Sequence, residues 1–311
     1  MSRNFDVAII GGGFAGLSAA LTVARLGHSA VVLAEGVPGG ELVKIGRIDG
    51  IPGFEDGIAG YDLCPITQEQ AEEQGVEILD APATALVAQG DNWLIETAQD
   101  QITARGVVVA TGTALATLDV PGIDALAGKG VSDCASCDAP LLRGKVAVVA
   151  GGGDSAMQEA LVLAEYLEKV IMVVQGATLT GQKPYIDAVL EADAIECRYS
   201  SEPVAVLGED GVTGVRVKDL ASGAEEVIAT DAIFTFIGLV PNSAIVNGIA
   251  ALDDTGRIAV DSAMRSSAFG ICAAGNVRQH SPHRAAAAMG DAAAAAVALD
   301  RYFATGQWRD A

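Results

Sequence analysis

Short, uniformly apolar runs that stop at glycines and then give way to a helical pattern recur along the chain. Val7–Ile10 is apolar throughout and ends at Gly11-Gly12-Gly13. A half-exposed strand would alternate, so this run predicts a strand buried on both faces. Helical spacing of apolar positions follows as far as Leu26, and Ala30–Leu33 predicts a second buried strand ending at Glu35. The pattern repeats from Lys145. Val146–Val149 reads as a strand, Gly151-Gly152-Gly153 as a turn, and the next stretch as an amphipathic helix. Val170–Val174 then reads as a second strand, closed by Gln175 and Gly176. Between the repeats, LIETAQDQITARGVVVATGT alternates like antiparallel strands before the buried run Val107–Ala110. The tail offers a short apolar strand, a turn at Gly275–Asn276 and a long alanine-rich helix whose small side chains permit close packing. The fold class expected is α/β, with two Rossmann-like dinucleotide-binding domains.

Glycine spacing adds chemistry to that pattern. Gly11, Gly13 and Gly16 stand in GxGxxG order between strand and helix. The first serves the tight turn, the second lets backbone approach a pyrophosphate, and the third allows close helix–strand packing. The helix start is an anion site, and Glu35, nineteen residues after Gly16, is placed to accept from an adenosine ribose. Gly151, Gly153 and Ala156 give GxGxxA in the second unit, with neither an acid nor a basic cluster where the ribose would be read. Two such units in one chain imply two nucleotides acting in succession, as when a nicotinamide passes hydride to a bound flavin.

Charge narrows the partners. Acidic residues outnumber basic ones 40 to 19, giving a formal net charge of -21, which disfavours nucleic acid and anionic membrane. No apolar stretch reaches the ~18 residues of a membrane span and no secretory leader pattern precedes Phe5, so a cytoplasmic protein is expected. Five cysteines are few. Cys64, Cys197 and Cys272 stand singly in apolar surroundings and are expected as buried, inert thiols. Cys134 and Cys137 form a CxxC followed by Asp138. A zinc site would need a second ligand pair, and none is present, so no metal is expected. A staple across two residues would constrain little of the unfolded chain. A pair that opens and closes in turnover remains, because exchange needs a thiolate and a nearby thiol to resolve the mixed disulfide.

With GGGFAGLSAA, VVVATGT, CASCD, GGGDSAMQEA and ICAAGNV in this order, the chain resembles the low-molecular-weight thioredoxin reductase family over nearly its whole length. The resemblance implies an FAD domain split into residues 1–117 and 245–311, and an NAD(P)H-binding-like domain at 118–244 inserted in it and carrying the CxxC. DVPG at 119–122 and GLVPN at 238–242 resemble the linkers about which that domain turns. Electrons would pass from nicotinamide through FAD to Cys134–Cys137 and on to a thioredoxin-like protein or a small-molecule disulfide. By the same similarity Cys137 exchanges with the flavin, Cys134 with the partner, and Asp138 manages the proton. Gly40, Gly112, Gly275, Asn276, Arg284 and Ala285 join Gly11, Gly13, Gly16 and Glu35 around FAD, and a homodimer is implied.

Three departures bear on cofactors. NADPH-dependent members carry HRRxxxR after the second strand of the inserted domain, where this chain has Val174-Gln175-Gly176-Ala177-Thr178-Leu179-Thr180 and no cation. Asn276 stands where the family has an aspartate on the ribityl chain; an amide still accepts. Arg284-Ala285 replaces an Arg-Gln pair near the flavin, and His280 and His283 beside it read either as a solvated loop or as a base or flavin-facing proton relay. The missing cations keep open a reverse activity, an FAD-dependent dithiol oxidase that forms a disulfide in a small molecule with O2 as acceptor. Asp138 after CxxC resembles the reductases instead. A flavin-binding scaffold without turnover would leave CASCD unexplained.

Overall fold

A computed structural model describes residues 3–309. Strand β1 (Arg3–Ile10) runs into helix α1 (Phe14–Arg25) and strand β2 (Ala30–Ala34). Helix α2 (Gly60–Glu73) and strand β3 (Glu77–Asp80) follow, then β4 (Ala83–Gln89), β5 (Asn92–Thr97) and β6 (Gln101–Val109). These strands order as β3-β2-β1-β6-β5-β4. β1 lies parallel between β2 and β6, while β4, β5 and β6 form antiparallel neighbours. The uniformly apolar ends of β1, β2 and β6 are buried on both faces, as their patterns predict.

The chain then leaves through strand β7 (Thr113–Leu115) for a second compact unit, Leu115–Leu239, and returns to complete the first, Met1–Ala114 with Val240–Ala311. Within the second unit come β8 (Val131–Ser132), helix α3 (Ala135–Asp138), β9 (Val146–Ala150), α4 (Asp154–Ala164), β10 (Lys169–Val173), α5 (Lys183–Glu191) and β11 (Ile195–Arg198). β12 (Ser201–Gly208), β13 (Val212–Asp219) and β14 (Glu225–Ala229) form a separate antiparallel sheet, before β15 (Ala232–Thr235) and β16 (Leu239–Pro241). The parallel sheet reads β11-β10-β9-β15-β8. Two Rossmann-like folds are therefore present, the second inserted in the first.

The outgoing strand β7 pairs with the returning strand β16, so the two crossings lie side by side. GLVPN spans the return. DVPG is not the outgoing linker. It belongs to the second unit, where the Pro121 carbonyl accepts from the Val206 amide at 2.9 Å and a Cβ on Gly122 would collide with the Val206 carbonyl oxygen. Glycine and proline mark a tight packed turn there.

β17 (Ile271–Ala273) pairs with β6 in the first unit, and helix α6 (Ala285–Thr305) lies against α1. Ala292, Ala295, Ala296 and Leu299 of α6 share a core with Ala19, Ala20 and Val23 of α1. The alanines are what let two helix backbones approach this closely. No helix among the described residues is long and apolar enough to cross a membrane.

Candidate functional site: two glycine turns and a disulfide

The first turn is built at the ends of β1, β2 and β6, where the chain order reverses across β1. Crevices of this kind are where open α/β sheets hold ligands. Gly11 has φ 110°, and Gly16 sits so close beneath it that a Cβ would overlap the Gly11 carbonyl oxygen. Any side chain at residue 16 pushes α1 off the turn. Gly13 faces outward: a Cβ there meets nothing nearer than the Gly40 Cα at 3.9 Å. The amide of Gly39 donates to the Gly12 carbonyl at 2.8 Å, which brings Gly40 to the turn. α1 has no side-chain cap and no acid in its first turn, leaving its N–H groups for an anion.

Other elements converge on the same crevice. A Cβ on Gly275 would meet Ala15 of α1 at 2.9 Å. Ala285, the first residue of α6, packs against the cluster holding Phe14, Ile48 and Ile51. Arg284 is the N-cap residue of α6. Asn276 accepts from the Ser281 hydroxyl at 3.2 Å through Oδ1 and from Arg257 through its backbone carbonyl. Glu35 is exposed just past β2, and Gly112 follows β6, its carbonyl accepting from the Asn242 amide at 3.1 Å. His280 and His283 share an exposed loop, both at positive φ (56° and 55°). Partial burial, with Arg257, Arg284 and Arg278 around it, holds the His283 imidazole below its usual range.

Sequence reasoning missed the residue that anchors this end of the crevice. Asp291, buried in α6, accepts from the Gly275 amide at 3.1 Å and from Nε and Nη2 of Arg278 at 2.8 and 2.7 Å. An acid on the apolar face of an alanine-rich helix was the available signal.

In the second unit, Gly151, Gly153 and Ala156 form the corresponding turn between β9 and α4. A Cβ on Gly153 would meet nothing nearer than the Thr180 carbonyl oxygen at 3.9 Å, so this cradle is open too. α4 begins with Asp154, whose carboxylate is turned onto the Gln182 amide at 2.7 Å. Beyond β10, residues 175–178 are exposed, and Gln175 donates to the Glu202 carboxylate of β12 at 3.4 Å. Sequence spacing shows no acid at this place; the fold brings one from the neighbouring sheet.

Cys134 and Cys137 are joined as a disulfide, with Cα atoms 5.4 Å apart. Cys134 precedes the single turn α3, Cys137 lies within it, and Asp138 ends it. Cys137 is exposed while Cys134 and Asp138 are half-buried. The other cysteines are free: Cys64 and Cys272 are buried, and Cys197 is half-buried. That last placement corrects the expectation of a buried thiol, and the cause is that β11 is an edge strand. Burial pushes the Cys64 thiol up to about 11 and the Cys272 thiol higher still.

Residues 5–292 match the family model described as pyridine nucleotide-disulphide oxidoreductase. A thioredoxin reductase of Treponema pallidum (strain Nichols) is 36% identical over 305 residues, covering 98% of this chain and 99% of that protein. This chain belongs to the low-molecular-weight thioredoxin reductase family. Among solved structures, thioredoxin reductase from Lactococcus lactis superposes with a TM-score of 0.93 at 32% identity, covering 96% of this chain and 99% of that one. The enzyme from T. acidophilum gives 0.93 at 32% identity, covering 97% and 100%. The chain is thus a thioredoxin reductase-like flavin disulfide oxidoreductase with a Cys134–Cys137 disulfide. Membership implies FAD and NAD(P)H, and the two open glycine cradles fit dinucleotides.

Proposed function

We propose that this chain carries electron pairs from NADH to a disulfide on a thioredoxin-like protein, with Cys134–Cys137 as the relay. The observation that carries the reading is the CxxC disulfide in the same unit as the second glycine turn. FAD, when bound, supplies two-electron exchange between a nicotinamide and a disulfide. Gly11, Gly13, Gly16, Gly40, Gly112, Gly275 and Asn276, with Glu35, Arg284 and Ala285, are the residues that would hold it. Gly151, Gly153 and Ala156 would hold the nicotinamide nucleotide. Reduction of the pair takes two electrons and two protons and yields two thiols. The Cys134 thiolate then attacks the partner disulfide, releasing one partner thiol, and Cys137 displaces the second as the Cys134–Cys137 bond re-forms. Asp138, at the end of the same turn, would move the proton. The exposure of Cys137 suits it to be the sulfur that meets the flavin.

NADH is chosen over NADPH because residues 174–180 hold no cation and Gln175 is tied to the Glu202 carboxylate. A 2′-phosphate at this place would face a like charge, with no arginine among residues 174–180 to pair it. We expect NADPH to bind at least about tenfold more weakly than NADH, about 1.4 kcal/mol. The check is anaerobic titration of the yellow protein with each nucleotide, following flavin absorbance and nucleotide fluorescence. NADH should bleach the flavin. If neither nicotinamide does while a dithiol succeeds, the reductase reading fails. The reverse reading, oxidation of a small-molecule dithiol with O2 as acceptor, gains support from the same missing cations. Bleaching by NADH with no O2 uptake on adding dithiol in air removes it.

A homodimer belongs to this reading. Ala286, Met289, Ala293 and Val297 make an exposed apolar stripe along α6, at helical spacing. Sedimentation at micromolar concentration should give a dimer; a monomer there would remove this part.

A further inference from the structure

The backbone of the redox turn is held by a carboxyl three residues beyond the GxGxxA turn. Glu159 lies on α4, five residues beyond its start, and its Oε2 accepts from the Ala135 amide at 2.7 Å. That amide is bonded directly to Cys134. Around it the contact between α3 and α4 is apolar: Ala135 and Ala139 pack with Ala156, Met157 and Ala160. Glu159 is therefore a half-buried acid whose desolvation is offset by one short hydrogen bond. Burial pushes its carboxyl above the usual range, the Ala135 bond pulls it back, and Asp133 adds to the rise. The amide of Cys134 is held in turn by the Ser132 hydroxyl at 3.2 Å. Asp133 and Asp138 are the residues next to Cys134 and Cys137 in the chain, and Glu159 reaches the amide that follows Cys134.

For clamping an amide alone, a glutamine or serine would serve. A carboxylate adds negative charge beside the place where a thiolate appears on reduction. The pair takes two electrons and two protons to become two thiols, and ionising one of them stabilises the reduced form. A carboxylate opposes that ionisation. We propose that Glu159 is a positioning residue of the redox pair, clamping its turn through Ala135 and by its charge keeping the dithiol strongly reducing. The proposal rests on the redox reading of Cys134–Cys137 and not on the identity of the electron donor or partner.

The test is equilibrium of the FAD-loaded protein with mixtures of reduced and oxidised dithiothreitol. Alkylation and peptide mass mapping then score Cys134 and Cys137 separately from Cys64, Cys197 and Cys272. Glu159→Gln keeps an amide acceptor and removes the charge. It should shift the half-reduction ratio about three- to tenfold toward easier reduction, and speed alkylation of the reduced pair at neutral pH by a similar factor. Glu159→Ala should show the same shift together with faster hydrogen exchange at Ala135, because the clamp is also lost. A Glu159→Gln protein with the parent's ratio and alkylation rate overturns the proposal. A parent whose pair dithiothreitol cannot open would instead overturn the redox reading beneath it, a result seen before any variant is made.

Discussion

Replacing Cys137 by serine will stop disulfide turnover while leaving the flavin reducible by nicotinamide. The loss should be at least about a thousandfold, because a thiol is removed from a pair that acts as a unit. Cys134→Ser should be equally inactive in turnover because it lacks the attacking thiol, whereas Cys137→Ser keeps the attacker and cannot resolve the mixed disulfide. The two variants then separate the roles of the sulfurs. If Cys134 attacks the partner, Cys137→Ser will trap a covalent complex with a partner disulfide and Cys134→Ser will not. The readout is steady-state reduction of a thioredoxin-like disulfide, with non-reducing electrophoresis for the trapped species. Turnover near the parent rate in Cys137→Ser contradicts this electron path. The three remaining cysteines do not offer a substitute: Cys64 and Cys272 are buried, and Cys197 lies on β11, away from α3 in sequence and in sheet order.

The second large effect concerns stability. Asp291→Ala leaves the Arg278 guanidinium, only 12% exposed at its side chain, without its carboxylate. Breaking a buried pair by removing one partner costs about 3–5 kcal/mol, because the remaining charge stays desolvated. The Gly275 amide loses its acceptor in the same step. The expected result is an early unfolding transition in urea for the unit formed by Met1–Ala114 and Val240–Ala311, with earlier release of flavin. Asp291→Asn keeps an acceptor oxygen and should lose less. An Asp291→Ala protein with the parent's urea midpoint and flavin retention would show that the pair is not what holds this end of the crevice.

What the sequence disclosed followed from locality. The runs at Val7–Ile10 and Val146–Val149, their glycines and their helices each lie within about thirty residues, and each feature constrains the next. Strand, turn and helix were legible for that reason, and so was CxxC. What escaped was set by distance. Glu202 reaches Gln175 from 27 residues further along the chain, a separation no local motif covers. Its carboxylate arrives because β12 starts beside the end of β10, where the Ser201 amide donates to the Val174 carbonyl at 3.0 Å.

Asp291 and Arg278 meet across thirteen residues and a change from loop to helix, so an isolated acid among alanines was the only trace of them. Glu159 follows Gln158 in the middle of α4, and nothing local marks it as the one that turns toward Ala135 rather than water. DVPG misled because glycine and proline signal a sharp turn whether or not the chain is leaving a domain. Cys197 misled because an apolar neighbourhood in sequence does not separate an edge strand from a central one.

The path of the chain through its two units also sets an order of assembly. Everything the second unit needs lies between Leu115 and Leu239. The first unit is still missing β17, α6 and Trp308, which is 3% exposed in the core that α1 and α6 share. On a ribosome the inserted unit can therefore close first, while the other unit waits, with the apolar face of α1 uncovered, until α6 and Trp308 have emerged.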